Sequence, residues 1–219
     1  MEYIEVIEKL HSLSNKDNIE KMKRFGINAN NALGISIPDL RKIARRIGKD
    51  NTIAIKLFDS EIHEAKILAT MISSPKLITS DQMNRWVNKF NSWDICDQCC
   101  GNLFVKTPLA YQKAIEWSKS NKEFVKRAGY VMMAELAIHD KDAQDGSFIH
   151  FFDIIKQGST DERNFVKKSV NWALRQIGKR NIKLNKLAIK TAEEIKDMDS
   201  KSAKWIATDA LRELKSKKF

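Results

Sequence analysis

An all-α fold is predicted by three features of this 219-residue sequence. Apolar residues recur with helical periodicity along almost the whole chain, and no segment alternates with period two for long. Gly and Pro are scarce, at eight and three. The helices follow one another in pairs joined by short linkers. That pattern predicts a HEAT-like α-solenoid of antiparallel helix pairs, with a loose unit of about 40 residues and a concave basic face. No Pro-, Gly- or Ser-rich linker divides the chain, so residues 1–219 are expected to form a single helical-repeat domain.

Residues 2–14 place Ile4, Ile7 and Leu10 on one helical face. A polar helix with Ile19 and Met22 follows, then an irregular stretch from Gly26 to Ser36. Ser36 is a candidate N-cap for the next helix, with Pro38 in its first turn and Leu40, Ile43, Ala44 and Ile47 facing inward. Helices near 51–59 and 61–74 come next. Thr79-x-x-Gln82 reads as a capping box for a helix burying Met83, Trp86, Val87 and Phe90. Ser92 can cap a helix from Trp93 to Phe104, and Thr107-Pro108 starts another carrying Ala114, Ile115 and Trp117. Ser120-x-x-Glu123 and Ser159-x-x-Glu162 read as two further capping boxes, each opening a helix of about 16–20 residues. A polar loop, His139 to Ser147, lies between them. The last helices run over 182–196 and 199–216.

Composition narrows the function. Hydrophobic residues at 42% and charged residues at 31% are ordinary for a globular chain and argue against disorder. Charges interrupt every apolar run before 18 residues, which excludes a transmembrane helix. The acidic, amphipathic start, Met1 to Glu5, does not read as a secretory signal, so the cytoplasm is the expected location. Lys and Arg total 39 against 28 acidic residues, a net charge of +11. Such a surplus favours a polyanionic partner. Cys96, Cys99 and Cys100 offer neither a disulfide framework nor the four ligands of a structural zinc site, and read as small apolar residues on a buried face.

Three segments carry candidate chemistry. In Trp93-Asp94-Ile95-Cys96-Asp97, Trp93 and Asp97 are four apart and share one helix face, while Ile95, Cys96, Cys99 and Leu103 form another. The first pair is expected to project toward a groove or solvent. On the helix over 122–138, Arg127 lies at the edge of the apolar face with Lys126 further toward solvent, and Glu135 falls within that face and needs a partner if buried. Residues 167–190 hold eight basic residues, Lys168, Arg175 and Lys179 among them, and no acidic one. Trp172 sits at the rim of this stripe. Cations that neutralise phosphates, beside a ring that packs on sugar or base, suit a nucleic-acid surface.

These residues resemble the bacterial DNA alkylation repair glycosylases built from HEAT-like repeats, the AlkD type. The resemblance rests on Trp93-Asp94-Ile95-Cys96-Asp97, Lys126-Arg127-Ala128, Trp172-Ala173-Leu174-Arg175 and the turn Leu33-Gly34-Ile35-Ser36-Ile37-Pro38 with Arg41, in order over about residues 20–180. It implies hydrolysis of the N-glycosidic bond of cationic alkylated purines in duplex DNA, with no cofactor, no metal and no deep base pocket. Asp97 would orient water and stabilise the oxocarbenium-like sugar, Trp93 and Trp172 would pack on the deoxyribose, and Arg127 would hold the phosphate backbone. Lys126, Lys168, Arg175, Lys179, Arg41, Ser36 and Phe25 would contact DNA, and the protein would act as a monomer. Phe25 stands where the family carries a tyrosine, and Ser36 where it carries a longer polar amide. The alternative is a DNA-binding protein without catalysis that recognises bent or branched DNA; it needs the basic face but not Asp97. A scaffold for another protein is a third reading.

Overall fold

The structure, a computed structural model, describes residues 1–219. It contains α-helices and one 3-10 turn, with no strand. The chain packs as two compact units, Met1–Thr107 and Pro108–Phe219. No helix is long and apolar enough to cross a membrane.

The first unit comprises α1 (Tyr3–Ser12), α2 (Lys16–Arg24), α3 (Ile37–Ile47), α4 (Asn51–Asp59), α5 (His63–Ile72), α6 (Ser80–Val87), α7 (Trp93–Asn102) and the 3-10 turn Phe104–Lys106. The short link from α4 to α5 forces the two to pack as a pair. α3, α5 and α7 form one row, with α5 against both neighbours. Behind it, Phe58 of α4 stacks on Trp86 of α6, ring centroids 3.9 Å apart. Such a pair adds about 0.5–1.5 kcal/mol beyond its area burial. α5 is buried on nearly every side, His63 and Glu64 included.

The second unit comprises α8 (Ala110–Ser118), α9 (Glu123–His139), α10 (Gly146–Ile149), α11 (Phe151–Gly158), α12 (Asn164–Gly178), α13 (Ile182–Lys196) and α14 (Lys201–Ser216). α9, α12 and α14 form one row, and α8, α11 and α13 the other. α8 and α9 approach closely at Gly129, where a Cβ would lie 2.3 Å from the Ser118 nitrogen. Glycine is required there by the neighbouring backbone.

The repeat is visible in the hydrogen bonds between successive members of a row. In the first unit they recur 31 or 32 residues apart: Leu33 to Glu64, His63 to Asp94, Asn102 to Thr70. In the second the interval is 38: Arg127 to Phe165, Asn171 to Asp209, Arg175 to Glu213. The second unit has the length read from the sequence; the first has a shorter period.

Several local expectations change. Ser36 and Thr79 do cap α3 and α6, accepting from the Asp39 and Gln82 amides. Ser92 precedes α7 but caps nothing; its hydroxyl donates instead to Asp94. The boxes at Ser120 and Ser159 do not form, because α9 and α12 begin after Lys122 and Arg163. Ser120 closes a local turn onto the Lys122 amide, and Ser159 donates to the Lys156 carbonyl at the end of α11. Glu162 reaches forward and accepts from Ser200 and the Ser202 amide at the start of α14. The helix after Thr107-Pro108 starts only at Ala110. Between the polar loop and α12, the short helices α10 and α11 bury Phe148, Phe151, Phe152 and Ile155.

Candidate functional site

α7 presents two faces, as the four-residue spacing demands. Ile95, Cys96, Cys99 and Cys100 are buried, and burial pushes the Cys99 and Cys100 thiols well above their ordinary range. Trp93 and Asp97 are half-buried on the other face and line a cavity of about 430 Å³ within the first unit. Phe25 and Ser36, from the loop between α2 and α3, line the same cavity. Phe25 is 73% exposed. The rest of the wall combines the aliphatic Ile27, Ile35, Ile37 and Ile67 with the polar Asn18, Lys21, His63, Glu64, Asp94 and Gln98.

The loop is held amide by amide. The Glu64 carboxylate, 1% exposed, accepts from the backbone N–H groups of Leu33 (2.8 Å), Gly34 (2.7 Å) and Ile35 (3.3 Å). The Asn18 side chain donates to the Gly34 carbonyl, and the Asn15 amide to the Leu33 carbonyl at 2.7 Å. The Trp93 indole N–H donates to the Phe25 carbonyl at 3.1 Å, tying the loop to the first residue of α7. His63 and Asp94 are joined at 2.7 Å, and Ser92 donates to the other Asp94 oxygen at 2.6 Å. Burial alone would push the Asp94 carboxyl up. The bond and charge of His63, with Ser92 and the Ile95 amide, outweigh burial and hold it below the usual range. Glu64 thus fixes the loop that walls the cavity, and Asp94 ties the start of α7 to α5.

His63, Glu64 and Asp94 escape the sequence reading as cavity residues. The available signal is a His-Glu pair opening an otherwise apolar helix, where buried polar groups demand partners. The hydroxyl of Ser36 is engaged within α3: it donates to the Asp39 carboxylate at 2.7 Å and accepts from the Asp39 amide. Arg41, on the same helix, is exposed and lies outside this cavity.

In the second unit, Arg127 is 6% exposed and donates to the Phe165 carbonyl at 2.6 Å. It is a packed residue, not one at a solvent edge. Lys126 donates to Asp161 at 3.0 Å, and Glu135 pairs with His139 at 3.0 Å. Trp172 is half-buried on α12, and its N–H meets the Gln176 side-chain oxygen at 2.9 Å. Lys168 is exposed. The basic stripe is neutralised in part. Arg175 bonds Glu213 at 2.5 Å and lies 3.6 Å from Asp209, and Lys179 bonds Glu213 at 2.7 Å. Burial alone would raise the Glu213 carboxyl, but these two cations hold it below its usual range. Arg180 donates to the carbonyls of Ala137, Asp140 and Ala143, and Lys167 sits 5.0 Å from the Trp205 ring.

A sequence profile of the family described as "DNA alkylation repair enzyme" matches residues 6–214. Two uncharacterised proteins of Listeria match over 131 residues: Lmo0209 of Listeria monocytogenes at 26% identity and Lin0241 of Listeria innocua at 24%. Each match covers 58% of this chain and 58% of the relative, so the chain matches little more than half the length of these relatives. One solved structure is described as a new family of proteins related to the HEAT-like repeat DNA glycosylases with affinity for branched DNA structures. It superposes with a TM-score of 0.80 at 18% identity, over 97% of this chain and 95% of that one. The two share a fold, and the stacked helix pairs read from the sequence are that fold.

Proposed function

The chain belongs to the DNA alkylation repair enzyme family, and from that membership and the geometry of α7 we propose that it is a DNA glycosylase. Its substrates are 3-methyladenine and 7-methylguanine in duplex DNA. The observation that carries the reading is Asp97 on one face with Trp93, both lining an open cavity with Phe25 at its rim. N-alkylation makes the base cationic, so it departs with the electron pair of the C1′–N bond as a neutral leaving group. The sugar is left electron-poor. Asp97 stabilises that charge and accepts a hydrogen bond from the water that adds to C1′, whose proton passes to solvent. The face of Trp93 favours the developing cation. In the second unit, Trp172 supplies an aromatic surface for a DNA sugar, and the exposed Lys168 is assigned to a backbone phosphate.

The test is release of free base from duplexes carrying 7-methylguanine or 3-methyladenine, read by mass spectrometry. Release by the wild type and its loss in Asp97→Asn supports the assignment. Full release by the variant contradicts it.

A second reading, recognition of branched DNA without catalysis, has a specific observation behind it. Phe25 offers no hydroxyl, and that of Ser36 is engaged in capping α3. Two polar contacts that the resemblance places near the lesion are therefore missing. The structural relative of this fold is described as having affinity for branched DNA. Tight, salt-sensitive binding to four-way junctions with no release of either base would favour this reading.

A further inference from the structure

α3, α5 and α7 also line a second cavity in the first unit, of about 420 Å³. Its wall carries Arg41, Arg45, Lys49 and Lys106, and no acidic residue. This distinguishes it from the stripe on α12, where Glu213 and Asp209 sit against the cations. Arg41 and Arg45 are four apart on α3, so they share a face, and both are exposed. The two lysines are fixed: Lys49 donates to the carbonyls of Met71 (2.9 Å) and Ser73 (2.8 Å), and Lys106 to that of Asn102 (2.9 Å). Burial holds the Lys49 ammonium below its ordinary range, and the charge of Lys106 adds to the effect. Four like charges around one depression repel each other, and a bound anion relieves that repulsion.

We propose that this cavity is a phosphate site that takes one backbone phosphodiester of DNA, contacted by Arg41 and Arg45 with Lys49 and Lys106 behind them. Guanidinium forks match phosphate oxygens, and fixed ammonium groups supply the field. Its position follows from the helices. α3 contributes Ile37 to the first cavity and Arg41 and Arg45 to the second, α5 contributes Ile67 and then Met71, and α7 contributes Asp97 and then Asn102. At about 1.5 Å of rise per residue, the two sites lie roughly 6–12 Å apart along the helices. The bound phosphate would therefore lie within a few nucleotides of the sugar that faces Asp97. The location relative to the lesion rests on the glycosylase reading; the phosphate site itself does not.

The experiment is duplex binding by fluorescence anisotropy over 50–200 mM salt, comparing wild type, Arg41→Gln/Arg45→Gln and, as a surface control, Lys76→Gln. Each phosphate contact contributes about −0.9 to the slope of log K against log salt. The double variant should lose about 0.9 of that slope and bind about tenfold more weakly near 0.1 M salt, with its Tm unchanged because both side chains are exposed. Lys76→Gln should match the wild type. An unchanged slope and affinity in the double variant overturns the proposal. NMR of the arginine Nε–H groups with inorganic phosphate separates the sources: shifts at Arg41 and Arg45 with no change in the DNA slope would assign the cavity to a small phosphate and overturn the DNA assignment. Base release in the same samples separates the two readings. A lost slope without any base release keeps the phosphate site and sinks the glycosylase, and base release with an unchanged slope does the reverse.

Discussion

Glu64 holds three consecutive amides of the loop that forms one wall of the α7 cavity, and it does so while buried. Glu64→Gln removes the charge and leaves one good acceptor. Loss of charge-assisted bonds at a buried site should destabilise the first unit by about 2–3 kcal/mol, seen in denaturant unfolding. Gly34, at φ +74°, belongs to the same cradle, and a Cβ there would lie 2.2 Å from the Asn15 carbonyl oxygen. Gly34→Ala should cost roughly 2–4 kcal/mol from the left-handed backbone and the clash together. An unchanged unfolding midpoint would show that the loop carries no such constraint. Asp161 gives a pH signature in the second unit. Burial would raise its carboxyl, but hydrogen bonds from Arg163 and Lys126 outweigh burial and hold it well below the usual range. Its folded pKa lies below the unfolded value of about 3.9. The stabilisation is therefore complete above that pH and is lost as pH falls through the folded pKa. Asp161→Asn should lower Tm by several degrees at neutral pH, with the gap to wild type closing below about pH 4.

Among the elements, α7 was the most legible, because a four-residue spacing fixes which side chains share a face whatever the helix packs against. Trp93 and Asp97 separated from the cysteines by that rule alone. α12 was legible as a helix and misleading as a surface. Residues 167–190 contain no acid, yet Arg175 and Lys179 meet Glu213 of α14, one repeat later. A local window cannot see a partner 38 residues away. The capping boxes at Ser120 and Ser159 failed for a related reason: their hydroxyls close nearby backbone turns, and Glu162 serves the next helix of the row. Glu213→Gln tests what the stripe does. If α12 meets DNA, removing that charge should free Arg175 and Lys179 to attract phosphate, steepening the salt slope and raising affinity several-fold. Unchanged binding would place the DNA contacts elsewhere.

For the whole molecule, the repeat is carried by recurring contacts more than by recurring residues. Intervals of 31 or 32 in the first unit and 38 in the second set which polar groups meet. Periodicity and scarce Gly and Pro were enough to reveal the class of fold, since apolar stripes must be covered by neighbouring helices. The cavity and its carboxylate partners were not readable, because His63 and Asp94 come together only when α5 and α7 pack. Net charge pointed to a polyanion but not to chemistry; Asp97 alone separates enzyme from binder. Its single-turnover rate is therefore the most direct measurement: release of 7-methylguanine and 3-methyladenine from duplex DNA by wild type and Asp97→Asn, with DNA affinity measured alongside. A fall of about 10²–10³-fold is expected in the variant, the scale of losing one preorganised electrostatic group, with affinity retained. Equal rates in the two proteins, or no release of either base by the wild type, would contradict the glycosylase assignment.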